Sequence, residues 1–469
     1  MTGNLLSRIS SWISAGALLY RTKRSKTILH KLYRGFYVAL IILSILMVVS
    51  FPSPIKPKTS VGMINVIVVV LGVISIPQIF HEMRKKSNVF GSPMDIVVVC
   101  FYLANLLSLF FSERIQDFTP IRMVTSAVIA YFLIKIYVPS QREKVLIAHS
   151  LGIATICIAA LSVLQAFLPE LMNAIASKYF QGREAYGLAI EQGRGRIAPW
   201  GSIIFLFPFY YSSLFFGRNK KNKLYLTYLF GGMIILLLAM TLSNFRWTFL
   251  VFVFCTLVQA KIFVALRFFS SQQIFRAVVL STLVLAVGLL GAKYALGYNL
   301  IDRFLLTNNT RDVSDTLGRL LLYSQAFNVF SSSPIVGAGV GNYYSLVGAF
   351  QMNRYFSIHD QFQVFLVPIA SHNEFLTVLA ETGIIGFIGY FLIMYFSMKT
   401  IILHLMHTYL LSVTDNILII ACFLSLLSFL LYTIFENIYP ENIVYIFILI
   451  SIIHTWFDSP RVQKNIETS

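Results

Sequence analysis

The chain has 469 residues, a formal net charge of +18 at pH 7, 57% hydrophobic residues and only 12% charged residues. Its mean hydropathy of +0.76 and its low charge exclude a set of ordinary soluble domains, in which about a quarter of the residues are charged. Apolar stretches of about 20 residues recur along the whole chain, and each is long enough to cross a membrane as a helix. They are too long for the alternating strands of a membrane barrel. The sequence therefore predicts an all-α, polytopic integral membrane protein.

Twelve transmembrane helices are predicted, with both termini on the cytoplasmic side. In this orientation the basic stretches "RTKRSKTILHKLYR", "MRKK" and "GRNKKNK" are cytoplasmic, as the positive-inside rule requires. The positive charge is thus a topology signal rather than a sign of nucleic-acid binding, because it lies in short loops. The predicted spans are 36–51, 62–80, 94–111, 122–138, 145–168, 197–216, 224–242, 247–269, 275–298, 373–397, 414–436 and 438–456.

The spans divide the chain into five predicted parts. These are a basic cytoplasmic N-terminal segment (1–35), helices one to nine (36–298), an outer loop or cap (299–372), helices ten to twelve (373–456) and a cytoplasmic tail (457–469). The outer loop, about 70 residues long, is too long for a simple connector.

Within this loop, "TLGRLLLYSQAFNVF" (316–330) has helical periodicity. We expect one or two short helices that lie on the membrane surface. The positions near one face are Leu317, Leu320, Leu321, Ser324 and Phe327. The following "SSSPIVGAGVGN" favours a turn that ends the helix over a nucleotide-binding loop, since no strand precedes it and no lysine follows. Backbone N–H groups in such a turn can hold an anion.

Arginines on the predicted outer side run against the topology rule. The candidates are Arg194 and Arg196 before "IAPWG", Arg246 in the short turn "SNFRW", and Arg319, the only charge on its helix. Solvation or contact with lipid headgroups is the alternative explanation for an outer arginine. An unpaired arginine held against the bilayer is costly, and guanidinium groups bind phosphate with two parallel hydrogen bonds. The outer face is therefore interpreted as a site for a phosphorylated, membrane-bound ligand.

The stretch "SHNEFLTVLAETGIIG" begins polar and continues as an apolar helix. Ser371 and Glu374 have the spacing of a capping box, which predicts His372 at the first helical position. The positive end of the helix there favours a neutral imidazole that can accept a proton. The alternative is that His372 is only an interface residue, with Asn373 and Glu374 serving the cap.

Glu381 lies deeper in the same stretch, on roughly the same face as Glu374, and is expected to point into the helix bundle. Its role is structural or functional. Gly383, Gly386 and Gly389 follow at three-residue intervals, which allows another helix to approach closely.

At these residues the chain resembles the O-antigen ligase and polymerase superfamily of bacterial envelope glycosyltransferases. The ligase signature is His, then Asn, Ser or Gln, then nine residues and Gly, here His372, Asn373 and Gly383. "SNFRWTFL" resembles the family's short Ser-Arg-Gly turn, although other residues intervene before Arg246. "GRLLLYSQAFNVFSSSPIVGAGVGNY" resembles its Gly-Arg helix followed by Pro and a Gly-x-Gly turn.

The resemblance implies transfer of a glycan from an undecaprenyl-diphosphate carrier to an acceptor hydroxyl, at the periplasmic face of the bacterial inner membrane. The resemblance also implies that no metal and no cofactor take part, and the absence of paired carboxylates in the predicted outer loops fits this. The implied roles are catalytic base for His372, diphosphate binding for Arg246, Arg319, Arg194 and Arg196, and support of the site for Asn373, Glu374 and Glu381.

Three functions remain open at this point. A polymerase would add the growing chain to another carrier-linked repeat, and a ligase would transfer the finished glycan to lipid A-core. The motif does not separate them, and we prefer the polymerase only because such proteins are more numerous. The expected partners are the lipid-linked glycan donor, a glycan or lipid A-core acceptor and membrane lipids, with a chain-length regulator as a further candidate and no nucleic acid. A twelve-span transporter or flippase is disfavoured, since the charges lie at the outer rim rather than at the midplane.

Overall fold

The structure, a computed structural model, is a bundle of helices. The described residues are 37–42, 50–52, 60–84, 91–112, 118–138, 140–168, 205–216, 223–242, 246–265, 310–343, 371–406, 413–434 and 443–457, with single positions at 35, at 346 and between 272 and 294. The predicted N-terminal segment (1–35) and tail (457–469) lie outside the described residues except for Gly35 and Phe457.

Helices make up nearly all of the described residues. The elements in chain order are β1 Ser50–Pro52, β2 Ser60–Gly62, α1 Met63–Arg84, α2 Pro93–Phe110, α3 Thr119–Tyr137, α4 Gln141–Phe167, α5 Phe207–Phe216, α6 Lys223–Leu242, α7 Arg246–Ala265, α8 Thr310–Ser332, α9 Glu374–Met406, α10 Val413–Thr433 and α11 Ile443–Phe457. The strands β1 and β2 form a short antiparallel pair, with Ser50 opposite Gly62, that the sequence did not predict.

Many helices lie within a few residues of the predicted spans. The span predicted at 94–111 is α2, and the span predicted at 145–168 is α4. The outer-loop helix predicted at 316–330 lies within α8, which begins six residues earlier; α8 also contains Arg311, Asp312 and Asp315, so the prediction that Arg319 is the only charge on its helix is wrong. Among the described residues, α2, α3, α4, α9 and α10 are long and apolar enough to cross a membrane. The prediction of a helical protein with several membrane spans is thus confirmed, and the total of twelve remains a prediction.

A buried ion pair joins α2 to α3 at the end that is predicted to be cytoplasmic. Lys135 Nζ lies 2.6 Å from Asp95 Oδ2, and both side chains are almost fully buried. The Tyr131 hydroxyl also donates to Asp95, at 2.9 Å. Asp95 forms a capping box with Ser92 as well, so one carboxylate starts α2 and fixes α3 beside it. The opposite end of α2 faces the candidate site.

The helix α9 packs closely against α2 at Gly389. A Cβ atom on Gly389 would lie 3.2 Å from the Cα of Phe101, so a larger residue would push the two helices apart. The predicted close approach is confirmed at this glycine. The other helix pairs with extensive packing are α3–α11, α4–α5, α5–α10, α1–α3, α4–α6, α8–α9, α9–α10 and α7–α10.

The helix α9 is broken at Gly383, whose φ of 64° and ψ of −168° are not helical. This conformation is essentially open only to glycine. The break divides α9 into a first leg, 374–382, and a second leg, 384–406. The span predicted at 373–397 therefore contains an interruption that the sequence did not reveal.

The first leg turns back beside the second leg. The Tyr390 hydroxyl donates to Glu374, although the two residues are 16 positions apart. The ring centroid of Phe375 also lies 6.1 Å from that of Tyr390. In a straight helix, Glu374 and Tyr390 would be about 24 Å apart, which two side chains cannot bridge. The start of the first leg is therefore held against the bundle instead of projecting away from it.

Candidate active site at the broken helix

The break in α9 is filled by the turn that follows α8, residues 334–343, here called the wedge. Backbone hydrogen bonds join the wedge to both sides of the break, from Ala338 N–H to Ala380 O (3.0 Å), Gly339 N–H to Glu381 O (3.0 Å), Ile384 N–H to Pro334 O (2.9 Å) and Ile385 N–H to Ile335 O (3.4 Å). Backbone groups released by the break would be costly in lipid. The wedge supplies their partners, which explains how a membrane helix can be interrupted here.

Glycines allow the wedge and the broken helix to come together. A Cβ atom on Gly383 would lie 2.4 Å from the carbonyl oxygen of Ile335, and one on Gly337 would lie 2.3 Å from that of Glu381. Gly337 also has a positive φ of 77°. The glycine of the ligase signature, which the sequence suggested as a helix-packing residue, is therefore the hinge residue of α9.

The carboxyl group of Glu381 is buried inside the wedge, and only 1% of the residue is exposed. Its Oε1 accepts the backbone N–H of Tyr343 at 3.3 Å, and the N–H of Gly341 donates to the same carboxyl group. The expectation that Glu381 points into the bundle is confirmed. The turn was predicted to be able to hold an anion, and here its N–H groups hold a carboxyl group of the chain itself.

Tyr343 connects the wedge back to α8. Its hydroxyl donates to the carbonyl oxygen of Leu322 at 3.3 Å. Burial raises the pKa of Tyr343, and the neighbouring Glu381 raises it further, so the hydroxyl remains a donor at neutral pH. A single tyrosine thus links α8 to the carboxyl group on the first leg.

Asn373 caps the first leg of α9. Its Oδ1 accepts the N–H of Leu376 at 3.0 Å, and its Nδ2 donates to the carbonyl oxygen of Ile434 at the end of α10, at 3.1 Å. The Ser371 hydroxyl accepts the N–H of Asn373 at 3.1 Å and lies 2.6 Å from the hydroxyl of Thr377. Both neighbours of His372 are therefore fixed by hydrogen bonds.

His372 is half-buried and has a left-handed backbone conformation, with φ of 51°. This conformation is uncommon outside glycine, and it costs about 1–2 kcal/mol. Such residues are often found at active sites, where their surroundings hold them in place. Here Ser371 and Asn373 supply that support.

The predicted capping box is wrong. The cap is Asn373 and the helix begins at Glu374, so His372 precedes the cap instead of occupying the first turn. The expected effect of the helix dipole requires a first-turn position, which His372 does not occupy. Glu374 does not close a box with Ser371 but is buried and accepts from Tyr390. The serine was a plausible cap, but the left-handed turn at His372 moves the helix start toward the asparagine.

Arg319 is half-buried on α8, one turn before Leu322. The buried face of α8, which includes Ala326 and Val329, packs on Ala380 of the first leg. Both α8 and the first leg lead into the wedge, so Arg319 and His372 lie toward the two ends that are remote from it. This arrangement is compatible with a shared site, because the predicted cation and the predicted base are carried by neighbouring helices.

The other predicted arginines are less well described. Arg246 is the first residue of α7, and the structure does not describe its side chain. Arg194 and Arg196 lie outside the described residues. Their predicted roles remain predictions.

Sequence reasoning missed three residues at this end of the bundle. Tyr343 and Tyr390 gave no signal, because their partners are distant in the sequence. Arg122 had a detectable signal, since it is an arginine at the outer end of a predicted span. Its Nε and Nη2 are buried and have no hydrogen-bond partner among the described residues. We assign it no role.

The fold and the site define a class of helical membrane protein. One helix is interrupted, and a histidine in a left-handed conformation directly precedes the cap of that helix. Residues 229–391 match the family model described as O-antigen ligase. The match supports the resemblance to the O-antigen ligase and polymerase superfamily over residues 229–391. No curated protein matches the chain.

The matched range runs from α6 into the second leg of α9. It contains the predicted site residues Arg246, Arg319, His372, Asn373, Glu374 and Glu381. Arg194 and Arg196 precede it. The match to this family model supports a general role in glycosyl transfer.

Proposed function

We propose that the protein transfers an undecaprenyl-diphosphate-linked glycan to an acceptor hydroxyl at the periplasmic face of the bacterial inner membrane. The proposal includes twelve spans and a reaction without a metal or cofactor. Polymerisation of a surface polysaccharide is the form that we favour, and ligation to lipid A-core is the alternative. The matched family model does not separate the two forms, and polymerisation is preferred only because such proteins are more numerous.

The observation that carries this proposal is the geometry of His372. The residue has a strained left-handed conformation, its neighbours are held by hydrogen bonds, and it lies within the segment that matches the family. A histidine on a simple loop would have no need of this support. Strain that is maintained by the surroundings supports a functional role for the imidazole.

In the proposed reaction, His372 removes the proton from the acceptor hydroxyl as its oxygen attacks the anomeric carbon of the donor glycan. The bond between this carbon and the diphosphate oxygen breaks, and the diphosphate leaves with the electron pair on its carrier. Arg319 is proposed to stabilise the developing negative charge, together with Arg246, Arg194 and Arg196. Arginine is suited to this role because it offers a fork of donors to phosphate oxygens.

In this proposal, the supporting residues position His372 instead of contacting the substrate. Asn373 fixes the helix start and binds the end of α10. Glu374 holds the first leg against Tyr390, and Glu381 holds the wedge. None of the three needs to touch the substrate in order to set the position of His372.

The test is the substitution His372→Ala, compared with His404→Ala as a matched control. His404 is a half-buried histidine on the second leg, where its Nδ1 pairs with the carbonyl of Thr400 at 2.7 Å. In cells that lack their own copy, and at equal membrane expression, His372→Ala is expected to lower glycan transfer by about 10²–10⁴-fold, the usual effect of losing a base. The lipid-linked donor should accumulate, and His404→Ala should retain transfer. A loss of about tenfold or less would contradict the role as base.

The same cells distinguish a polymerase from a ligase. Loss of a polymerase should leave single repeats on the terminal acceptor, because ligation continues without chain growth. Loss of a ligase should leave long glycans on the lipid carrier, because growth continues without transfer. Gel separation of the surface glycan and of the carrier-linked pool measures both products.

A further inference from the structure

An apolar stripe on α8 faces away from the rest of the described protein. Leu320 and Phe327 lie two turns apart on one face, and 57% of each is exposed. The exposed Ser324 lies between them, and the exposed Ser331 follows, with its hydroxyl donating to the carbonyl oxygen of Phe327. Ile335, in the wedge, is 62% exposed. The opposite face of α8, with Ala326 and Val329, is the one that packs on the first leg of α9. The helix α8 is thus buried on one face and exposed on the other.

Ile335 lies beside the exposed surface of the second leg of α9. Its carbonyl oxygen accepts the N–H of Ile385. The side chains of Ile384, Ile385 and Ile388 are 41%, 43% and 50% exposed, as expected for a helix surface in contact with lipid. The stripe of α8 therefore continues onto this surface of α9 through Ile335.

Helix lengths set the depth of this junction. Lys399 is exposed on the second leg and marks the inner boundary of the hydrocarbon. Ile384 lies 15 residues before it, about 22 Å along the helix, which places Ile384 in the outer half of a hydrocarbon core of about 30 Å. The end of α2 agrees, since the Ser108 hydroxyl donates to Glu381, and the nearby Phe110 and Phe111 are 79% and 66% exposed.

The first leg keeps α8 at the same depth. Because Glu374 bonds with Tyr390 of the second leg, the first leg does not rise into the periplasm but remains beside the outer part of the bundle. The helix α8 packs on this leg through Ala326 and Val329. This part of α8 is therefore held near the membrane surface.

We propose that the stripe formed by Leu320, Phe327 and Ile335 is immersed in the acyl chains of the outer leaflet. The segment between α7 and α9 then includes an element that dips into the membrane and does not form only a periplasmic cap. Acyl chains fit the stripe because this face is uncharged, its large side chains are apolar, the Ser331 hydroxyl is bonded within the helix, and the stripe is continuous with the exposed face of a spanning helix. Water and a second copy of the chain are the competing occupants.

Immersion of the stripe would also set the depth of Arg319 in the membrane. The role of Arg319 at this depth rests on the proposed function. Arg319 precedes Leu320 at the edge of the stripe. Its guanidinium would lie at the level of lipid phosphates, with its apolar neighbour directed to the chains below. A diphosphate on a membrane-anchored carrier presents its charge at this level.

The test uses nitroxide labels on the full-length protein in phosphatidylcholine vesicles at low protein density. Phe327→Cys and Ile335→Cys probe the stripe, and Asn328→Cys is the matched control, since Asn328 is exposed next to Phe327 but is polar. Cys100 and Cys157, the exposed native cysteines, are first replaced with alanine; Cys255 and Cys422 are buried. The spectra are measured with oxygen, which enters lipid, and with a nickel chelate, which stays in water.

We expect the labels at positions 327 and 335 to be more accessible to oxygen, and the label at 328 to be more accessible to the nickel chelate. Greater access of the chelate at 327 and 335 would show that the stripe faces water and would overturn the inference. Poor access of both agents would show that protein covers it, which would also overturn the inference. These results do not depend on glycan transfer, so a failure here is distinct from a failure of the proposed reaction.

Discussion

The backbone N–H of Tyr343 donates to Oε1 of Glu381 at 3.3 Å, which joins the wedge to the first leg of α9. The hydroxyl of the same tyrosine binds the carbonyl of Leu322 on α8. The two contacts set the distance between the helix that carries Arg319 and the leg that His372 precedes. The relative placement of the two proposed site residues thus depends on a carboxyl group that faces away from solvent.

Substitution of Glu381 should reveal how much of this placement depends on hydrogen bonding. Glu381→Ala would leave the N–H groups of Gly341 and Tyr343 without their acceptor, at a cost of about 1–3 kcal/mol for each buried group. Glu381→Gln keeps one acceptor oxygen and should lose less. Thermal unfolding in detergent micelles, followed by circular dichroism, measures the difference. Equal melting temperatures for the two variants would contradict this explanation.

Gly383→Ala should destabilise the protein strongly. Alanine is disfavoured at φ of 64° and ψ of −168°, and its Cβ would lie 2.4 Å from the carbonyl oxygen of Ile335. The backbone strain alone is worth about 1–3 kcal/mol. The control is Gly231→Ala on α6, where a Cβ meets no atom within 4 Å and alanine should be neutral or stabilising. If both variants melt at the temperature of the parent protein, Gly383 is not a hinge.

Tyr390→Phe tests whether the first leg is held against the second. The change removes the hydroxyl that donates to the buried carboxyl group of Glu374, with an expected loss of about 1–3 kcal/mol. Tyr395→Phe, at a 49% exposed position on the same leg, should have little effect. Hydrogen exchange of residues 374–382 should also become faster in Tyr390→Phe alone. Unchanged exchange there would mean that other contacts hold the leg.

Arg319 can be tested by comparing two substitutions. Lysine keeps the positive charge but loses the fork of donors, so Arg319→Lys should retain partial glycan transfer. Arg319→Ala should lose about 10²–10³-fold, as when a donor to a developing negative charge is removed. Arg142→Ala, at an exposed arginine at the start of α4, is the control for a simple loss of charge. Full activity of Arg319→Ala at equal expression would remove this arginine from the site.

The helices could be predicted because their signal is local. A run such as "IVVVCFYLANLLSLF" can satisfy its backbone in lipid only as a helix, and α2 accordingly lies within a residue of its predicted position. Helical periodicity predicted residues 316–330 of α8, and the cost of an ionisable side chain in lipid predicted the inward direction of Glu381.

The break in α9 could not be predicted in this way. The sequence on both sides of Gly383 is apolar and fits one continuous span. What makes the break possible is a set of hydrogen bonds from the wedge, which lies far away in the sequence. The position of His372 was missed for a related reason, because Ser371 and Asn373 are both good caps and only the tertiary contact of Asn373 with Ile434 selects one.

The order of segments in the chain matters for the assembly of the broken helix. Ser108 and the wedge residues that bind the exposed carbonyls of Ala380 and Glu381 are all synthesised before α9. The helix α9 therefore enters the membrane after its hydrogen-bond partners have been synthesised. If the interrupted helix were synthesised first, its unpaired backbone N–H and C=O groups would face lipid until the wedge had been made. The arrangement of the chain thus favours insertion of α9 in its final bent shape.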